Sequence, residues 1–392
     1  MLKRLRVIIE STRQERIQLA FYIASAFSQK RLVLFFLCFM SYAEATQQPK
    51  ANALVSQVTL DSPLPQYKRV TDALNAIPAQ HSGTWVIEVQ PGIYQESIII
   101  QTPNVHVRGV DKKTTKIVFS RYAGQVIPPD TDEVFGTGRT ATVEITASNV
   151  HLSNLSILNS FDYPANEIRS QEDPNRVSGT QAVALKTAVT ADKTFLDNIE
   201  LWGYQDTLYL KGNRAYIKGG LVAGHIDFIF GGGTAFFDSV DIVSRKRNTG
   251  HGITGYITAP STLNTRPFGF VFSNCNLARE AGVPNQSVAL GRPWHPTTTF
   301  SDGRYASPYA IGHSLFINTY MDTHISLEGW TSMTGKTKNG GIKYFNPLTD
   351  ARFAEFKSHG PGAFQNEARP TLSDVEMLFY SKASVLQGWH PM

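Results

Sequence analysis

Three seven-residue strings in the middle of the chain can be laid over one another. They are Phe195-Leu196-Asp197-Asn198-Ile199-Glu200-Leu201, Tyr216-Ile217-Lys218-Gly219-Gly220-Leu221-Val222 and Phe236-Phe237-Asp238-Ser239-Val240-Asp241-Ile242, at offsets of 21 and then 20 residues. Weaker copies begin at His151 and Val271. A unit this short cannot bury its apolar face alone; it must stack on its neighbours, which makes a solenoid. Short apolar runs broken by Gly, Asn, Asp and Pro read as many brief strands. The predicted fold class is all-β, a single-stranded right-handed parallel β-helix. A sandwich of antiparallel strands would need hairpin turns of the Asn-Gly kind at regular spacing, and Asn339-Gly340 is the only such pair in the sequence. Helical patterns are confined to Tyr67–Ile77 and Ser373–Lys382. The first suits a short capping helix on the N-terminal end, because a solenoid must hide its open edge; the second is a C-terminal helical segment.

The net charge of +5 is mostly a property of the first 45 residues, which hold seven basic and three acidic side chains. The remainder carries 30 basic against 29 acidic groups, so the body lacks the basic surface of a nucleic-acid binder. Within the leader, Lys30-Arg31 precede the apolar run Leu32 to Met40, and Ala43-Glu44-Ala45 offers an A-x-A cleavage site. Residues 1–45 therefore read as a leader with a secretory signal peptide and 46–392 as one domain, secreted to the outside of the cell directly or by way of the periplasm. The apolar run is about half of the ~20 residues a membrane span needs, so no membrane association is expected after signal removal. Cleavage after Ala45 leaves Cys275 as the only thiol, which excludes an internal disulfide.

The repeat carries a chemical prediction. Asp206 lies eleven residues after Phe195 and Asp227 eleven after Tyr216, so both occupy the same place in successive coils. Adjacent strands lie ~4.8 Å apart, which puts the two carboxyls within roughly 4–7 Å on one face. Two close carboxylates cannot both ionise cheaply, so one proton affinity rises and the other falls. One protonated acid beside one ionised carboxylate is the result. A solvated surface pair or a calcium site is the plainer reading. The flanking Tyr204, Tyr209, Phe228 and Phe230 are poor company for a hard cation that takes six or more oxygens. No G-x-S-x-G elbow, H-E-x-x-H motif or Walker loop is present, and the ten histidines show no metal-ligand spacing. Gly231-Gly232-Gly233 reads as a turn between coils. No metal and no cofactor is expected.

Five segments, in order from Gly92 to Trp294, resemble those of the pectin methylesterase family: Gly92-Ile93-Tyr94-Gln95-Glu96, Gln181-Ala182-Val183-Ala184-Leu185, Gln205-Asp206-Thr207-Leu208, Asp227-Phe228-Ile229-Phe230-Gly231 and Leu290-Gly291-Arg292-Pro293-Trp294. Phe161 to Asn166 and Trp294 to Phe300 look like the secreted enzymes of plant-associated bacteria. The resemblance implies hydrolysis of the methyl esters of polygalacturonate to pectate and methanol. Asp227 would be the nucleophile, Arg292 would hold it by charge-assisted hydrogen bonds, and Asp206 would be the general acid and then the base. Gln181 and Gln205 would form the oxyanion hole, where loss of one donor typically costs ~10²–10³ in rate. Sugar rings offer apolar C–H faces to aromatic side chains; by similarity Trp294, Tyr209 and Phe230 would bind substrate, with Met333 near Trp330 as a further candidate. The implied partner is methyl-esterified homogalacturonan, acted on by a monomer. One departure is His225-Ile226 before the nucleophile, where the family commonly has Val; this mild change affects a subsite rather than the reaction.

Two other readings compete. A polyuronide lyase or a glycosidase on the same fold would need calcium carboxylates and a base, or, for an inverting glycosidase, carboxyls ~6.5–9.5 Å apart, and neither requires the glutamines. A carbohydrate-binding β-helix that had lost its activity would have no reason to keep Gln181, Gln205, Asp206, Asp227 and Arg292 together.

Overall fold

The computed structural model describes residues 49–127, 132–248 and 250–391. The leader reading falls outside the described residues. Among the described residues the chain winds through three parallel sheets of 11, 8 and 7 strands, one strand to each per turn, which is a parallel β-helix. One full circuit runs Thr194–Asp197, Glu200–Trp202 and Leu208–Leu210 before re-entering the first sheet at Arg214–Lys218.

The repeat found in the sequence is the register of the first sheet. Phe195 pairs with Tyr216, Tyr216 with Phe236, Phe236 with Val271, and His151 with Phe195. Side chains alternate across a strand, so each repeat carries two rows. The inner row is Val107, Leu152, Leu196, Ile217, Phe237, Phe272 and Phe316, none more than 3% exposed. Phe237, Phe272 and Phe316 stack at ring separations of 4.3 and 4.5 Å. The row ends at Glu355, which is buried and answered by Arg369 at 2.7 and 2.8 Å. The outer row is also apolar from Phe195 to Leu315. It is covered by Met377, Tyr380, Val385, Leu386 and Trp389 of the C-terminal segment, whose helical pieces are Asp374–Met377, Leu378–Tyr380 and Lys382–Val385.

Six corners between the first and second sheets include a residue with left-handed backbone. Asn154, Asn198, Gly219, Ser239, Asn274 and Asn318 occupy these corners with φ between 48° and 58°. Gly and Asn tolerate this conformation best, and Asn198 Nδ2 donates to Asn154 Oδ1 on the coil before it at 2.9 Å. Two antiparallel hairpins interrupt the winding, Thr297–Phe300 with Gly303–Ala306 and Met333–Lys336 with Ile342–Phe345. The second turns at Asn339-Gly340. Gly231-Gly232-Gly233 is indeed a turn, leading from Ile226–Gly231 to Thr234–Asp238.

The helical pattern near Thr71 becomes the helix Val70–Asn75, with Val70, Ala73 and Leu74 in the core. Its own N-cap, Arg69, makes no side-chain cap. Glu96 does so from 25 residues away, accepting from Val70 N, Thr71 N and Thr71 Oγ1 at 2.8, 3.0 and 2.6 Å. An acidic group at a helix N-terminus satisfies orphan N–H donors and the dipole together. We predict that Glu96→Ala lowers the unfolding free energy by about 2–4 kcal/mol, because a buried charge-assisted network is lost. Denaturant melts would measure this. A loss below about 0.5 kcal/mol, the scale of an ordinary surface change, would show the helix is held otherwise.

Candidate active site

The third sheet brings the two aspartates together. Leu208 pairs with Ile229 and Gln205 with Ile226, the same 21-residue offset, so Asp206 and Asp227 are register equivalents on adjacent coils. Both have left-handed backbone, with φ of 65° and 50°. That conformation breaks the strict in–out alternation of a strand. Thr207 and Leu208 are consecutive fully buried residues between Asp206 and Tyr209, as are Phe228 and Ile229 between Asp227 and Phe230. Leu208, Phe228 and Ile229 join the inner core, whereas Tyr209, Phe230 and Trp294 form a separate cluster with Ala141, Val183 and Ala259. Each kink thus lets a carboxyl and an aromatic ring share the outer face.

Arg292 follows the strand Val288–Gly291 and grips Asp227 with two hydrogen bonds, Nε to Oδ1 at 2.8 Å and Nη2 to Oδ2 at 2.7 Å. Its guanidinium lies over the Tyr256 ring, 3.8 Å from the centroid, a cation–π support. A side chain at Gly291 would run into Thr258, so the chain can pass this close only as glycine. Asp206 and Asp227 are 8% and 7% exposed. Burial, then the neighbouring Asp227, push the Asp206 carboxyl well above the usual carboxylate range, with Arg292 pulling the other way. Burial works against the Arg292 charge, but Asp227 outweighs it and raises the Arg292 pKa. Burial and then Asp206 push the Tyr209 hydroxyl up to about 12, so it stays neutral.

Gln205 and Gln181 lie on neighbouring coils, where Ala182 N donates to Gln205 O at 3.1 Å. The Thr180 hydroxyl donates to Gln205 Oε1 at 2.8 Å, which leaves the amide NH₂ as the group Gln205 can offer. Gln181 is half-buried, and among the described residues no hydrogen-bond partner engages its side-chain amide. Tyr209 stacks on Phe230 at 4.1 Å, and Trp294 inclines over both at 6.3 and 5.7 Å. Phe230 is only 3% exposed, so it supports the platform while Tyr209 and Trp294 form its accessible part. Met333 is half-buried and pairs with Phe345 in its hairpin, not on the aspartate sheet. His295 packs on Phe345 at 3.5 Å and bonds Ser307 O at 2.8 Å, a structural role.

Sequence reasoning missed Tyr256, because the loop before it stretches the spacing to 30 residues from its register partner Ile226. It also missed Thr180 and the helix Tyr163–Glu167, capped by Asp162. The D-Y-P string was the available signal, a cap residue with Pro in the first turn.

A carboxyl whose folded pKa is raised supports the fold fully below its unfolded pKa. That support is lost as pH climbs through the folded value. We predict that Asp206→Asn removes this loss: the variant melts higher than the wild type above the ordinary carboxylate range, with a gain that grows with pH. Thermal melts across pH would check it, and a pH-independent difference would contradict the burial argument.

The pectinesterase family model matches residues 57–372. The chain is 40% identical over 364 residues to Pectinesterase A of Dickeya dadantii, covering 92% of this chain and 97% of that one. Among solved structures, pectin methylesterase PemA from Erwinia chrysanthemi superposes with a TM-score of 0.83 at 41% identity, over 88% of this chain and 99% of the other. The enzyme from Yersinia enterocolitica gives 0.79 at 43%, over 82% and 99%. The family model and the 40% identical relative show that this chain belongs to the pectinesterase family of carboxylic ester hydrolases.

Proposed function

We propose that the protein hydrolyses methyl esters of homogalacturonan by a covalent mechanism run by Asp206 and Asp227. The observation that carries the reading is the contrast within one buried pair. Asp227 is held by both arms of Arg292, while Asp206 is driven toward its protonated form. That is the division of labour an ester needs, a nucleophile beside an acid.

Asp227 Oδ attacks the ester carbonyl carbon, and the carbonyl electron pair moves onto oxygen. The Gln181 and Gln205 amides donate to that oxyanion. As the tetrahedral centre collapses, the C–OCH₃ bond breaks and Asp206 delivers its proton to the departing methoxide, releasing methanol. Asp206, now a carboxylate, takes a proton from water as the hydroxide attacks the Asp227 acyl linkage. Collapse frees galacturonic acid, which yields its own proton to solvent, and restores both aspartates, with the proton taken from water on Asp206. Tyr209 and Trp294, backed by Phe230, would seat the sugar rings, and Met333 would touch the polymer farther along. A pectin methylesterase solved with a bound hexasaccharide, 41% identical to this chain, supports a polymeric ligand.

The proposal extends to the ends and the hand of the solenoid. Residues 1–45 act as an export signal, so the enzyme works outside the cell as a monomer. The coil is right-handed, as strand crossovers overwhelmingly are. The helix Val70–Asn75 closes its N-terminal end. Sequencing the N-terminus of protein recovered from culture medium tests the export signal; a chain retained in the cytoplasm with its leader would refute it.

Purified protein should release methanol from highly methylated pectin without shortening the chains. No methanol at any pH between about 4 and 10, from the ordinary carboxylate pKa up to a pH at which arginine is still charged, would sink the proposal. Asp206→Asn should lower kcat by roughly 10²–10⁴, the usual worth of general acid–base catalysis. In the wild type, kcat/KM should fall on the alkaline side as Asp206 loses its proton, above the ordinary carboxylate range because its pKa is raised. That limb should vanish in the residual activity of Asp206→Asn.

A further inference from the structure

Along the outer face of the third sheet, one row crosses the coils through Ile99, Glu144, Lys186, Tyr209, Phe230 and Ala259. Its far end is the aromatic platform; its near end changes to charge. Lys186 pairs directly across from Tyr209, about 4.8 Å away along the sheet. Lys211 lies two residues beyond Tyr209 on the same face, with its ammonium 5.5 Å from the ring centroid. Lys211 therefore carries its ammonium to the Tyr209 ring, while Lys186 starts beside that ring and carries its own to Glu144 on the coil beyond.

The two lysines are not equivalent. Lys186 Nζ is 2.7 Å from Glu144 Oε1 and donates to Gly138 O at 2.8 Å, and its side chain is 14% exposed. Two of its three donors are committed. Lys211 is half-buried, and no carboxylate among the described residues pairs with it. Its backbone is fixed: the buried Thr187 accepts from Lys211 N through both O, at 3.1 Å, and Oγ1, at 3.2 Å, and from Gly212 N at 3.1 Å. An ammonium on a rigid coil, beside a sugar-stacking ring and lacking a counter-charge, is a place for an anion carried by the sugar polymer.

We propose that Lys211, with Lys186 behind it, reads a free uronate carboxylate next to the ring stacked on Tyr209, and that Glu144 weakens this reading by holding Lys186. A methyl ester is neutral and gains nothing from the two ammoniums, whereas the acid gains a charge pair. The subsite therefore biases binding toward stretches of polymer that already carry free acids. This rests on the esterase reading for its ligand class, but its test does not need turnover.

The test is calorimetric titration of the intact protein with fully de-esterified hexagalacturonate, which has no ester to cleave. Lys211→Gln should weaken binding about three- to five-fold, the scale of one partly exposed charge pair, and Lys211→Arg should restore it to within about two-fold. Glu144→Gln, which frees Lys186, should tighten binding. Salt at about 0.5 M should erase these differences. Unchanged affinity in Lys211→Gln, or weakening that Lys211→Arg does not rescue, overturns the proposal even if Glu144→Gln does not fold. Methanol release is scored separately. Its absence would strike the esterase reading and leave the calorimetric result for this subsite standing.

Discussion

Register is the constraint on which the molecule depends. In a parallel solenoid each strand is held by the one before and the one after, so a residue's neighbours across the coils are set by coil length alone. Here that rule is applied twice to the same pair. It stacks Asp206 on Asp227, and it stacks their left-handed backbones, so the kink in one coil finds room against the kink in the next. Left-handed backbone at a non-glycine residue costs roughly 1–2 kcal/mol. The cost is borne by what the kinks turn inward: Thr207, Leu208, Phe228 and Ile229 are all 0% exposed. Core and site are two faces of one irregularity.

Burying two acids and one base also sets the charge of the site. If both carboxyls were ionised, an uncompensated negative charge would sit in a poorly solvated place, which is expensive. One proton makes the cluster neutral. Arg292 bonds Asp227 in bidentate fashion, while burial and Asp227 raise the Asp206 pKa, which favours Asp206 as the proton's place. Tyr256 beneath the guanidinium and a neutral Tyr209 beside Asp206 leave that balance alone. The physics that makes the pair costly to fold is the same that makes the two carboxyls unlike.

Much of this was legible in the residues because stacking is a local rule repeated. The offsets of 21 and 20 are the registers of Phe195, Tyr216 and Phe236, and even the weaker copies at His151 and Val271 pair where the alignment put them. The C-terminal helical pattern is present and covers an apolar outer row that the repeat already displayed. What was hidden lies where the period breaks. Tyr256 reaches Arg292 only after a long loop, Thr180 orients Gln205 from the coil before, and Glu96 caps a helix 25 residues upstream. None of these contacts has a spacing that recurs. The backbone sign at Asp206 and Asp227 was equally invisible, since Asp occurs in either conformation.

The period-breaking loops also serve the aspartates. Glu167, from the helix Tyr163–Glu167, holds Arg247 at 2.8 Å through Oε1 and the Asn248 N–H at 2.7 Å through Oε2, so loops from two different coils close on each other. Beneath them lies His225, two residues before Asp227, packed edge-on against Tyr163 at 4.2 Å and 1% exposed. Among the described residues its ring nitrogens have no hydrogen-bond partner. Burial, then Arg247 and Arg245, hold its pKa well below the usual histidine value. A histidine kept neutral in this way behaves as an apolar plug. It fills the space beside the strand Ile226–Gly231 without adding a charge next to the aspartate pair.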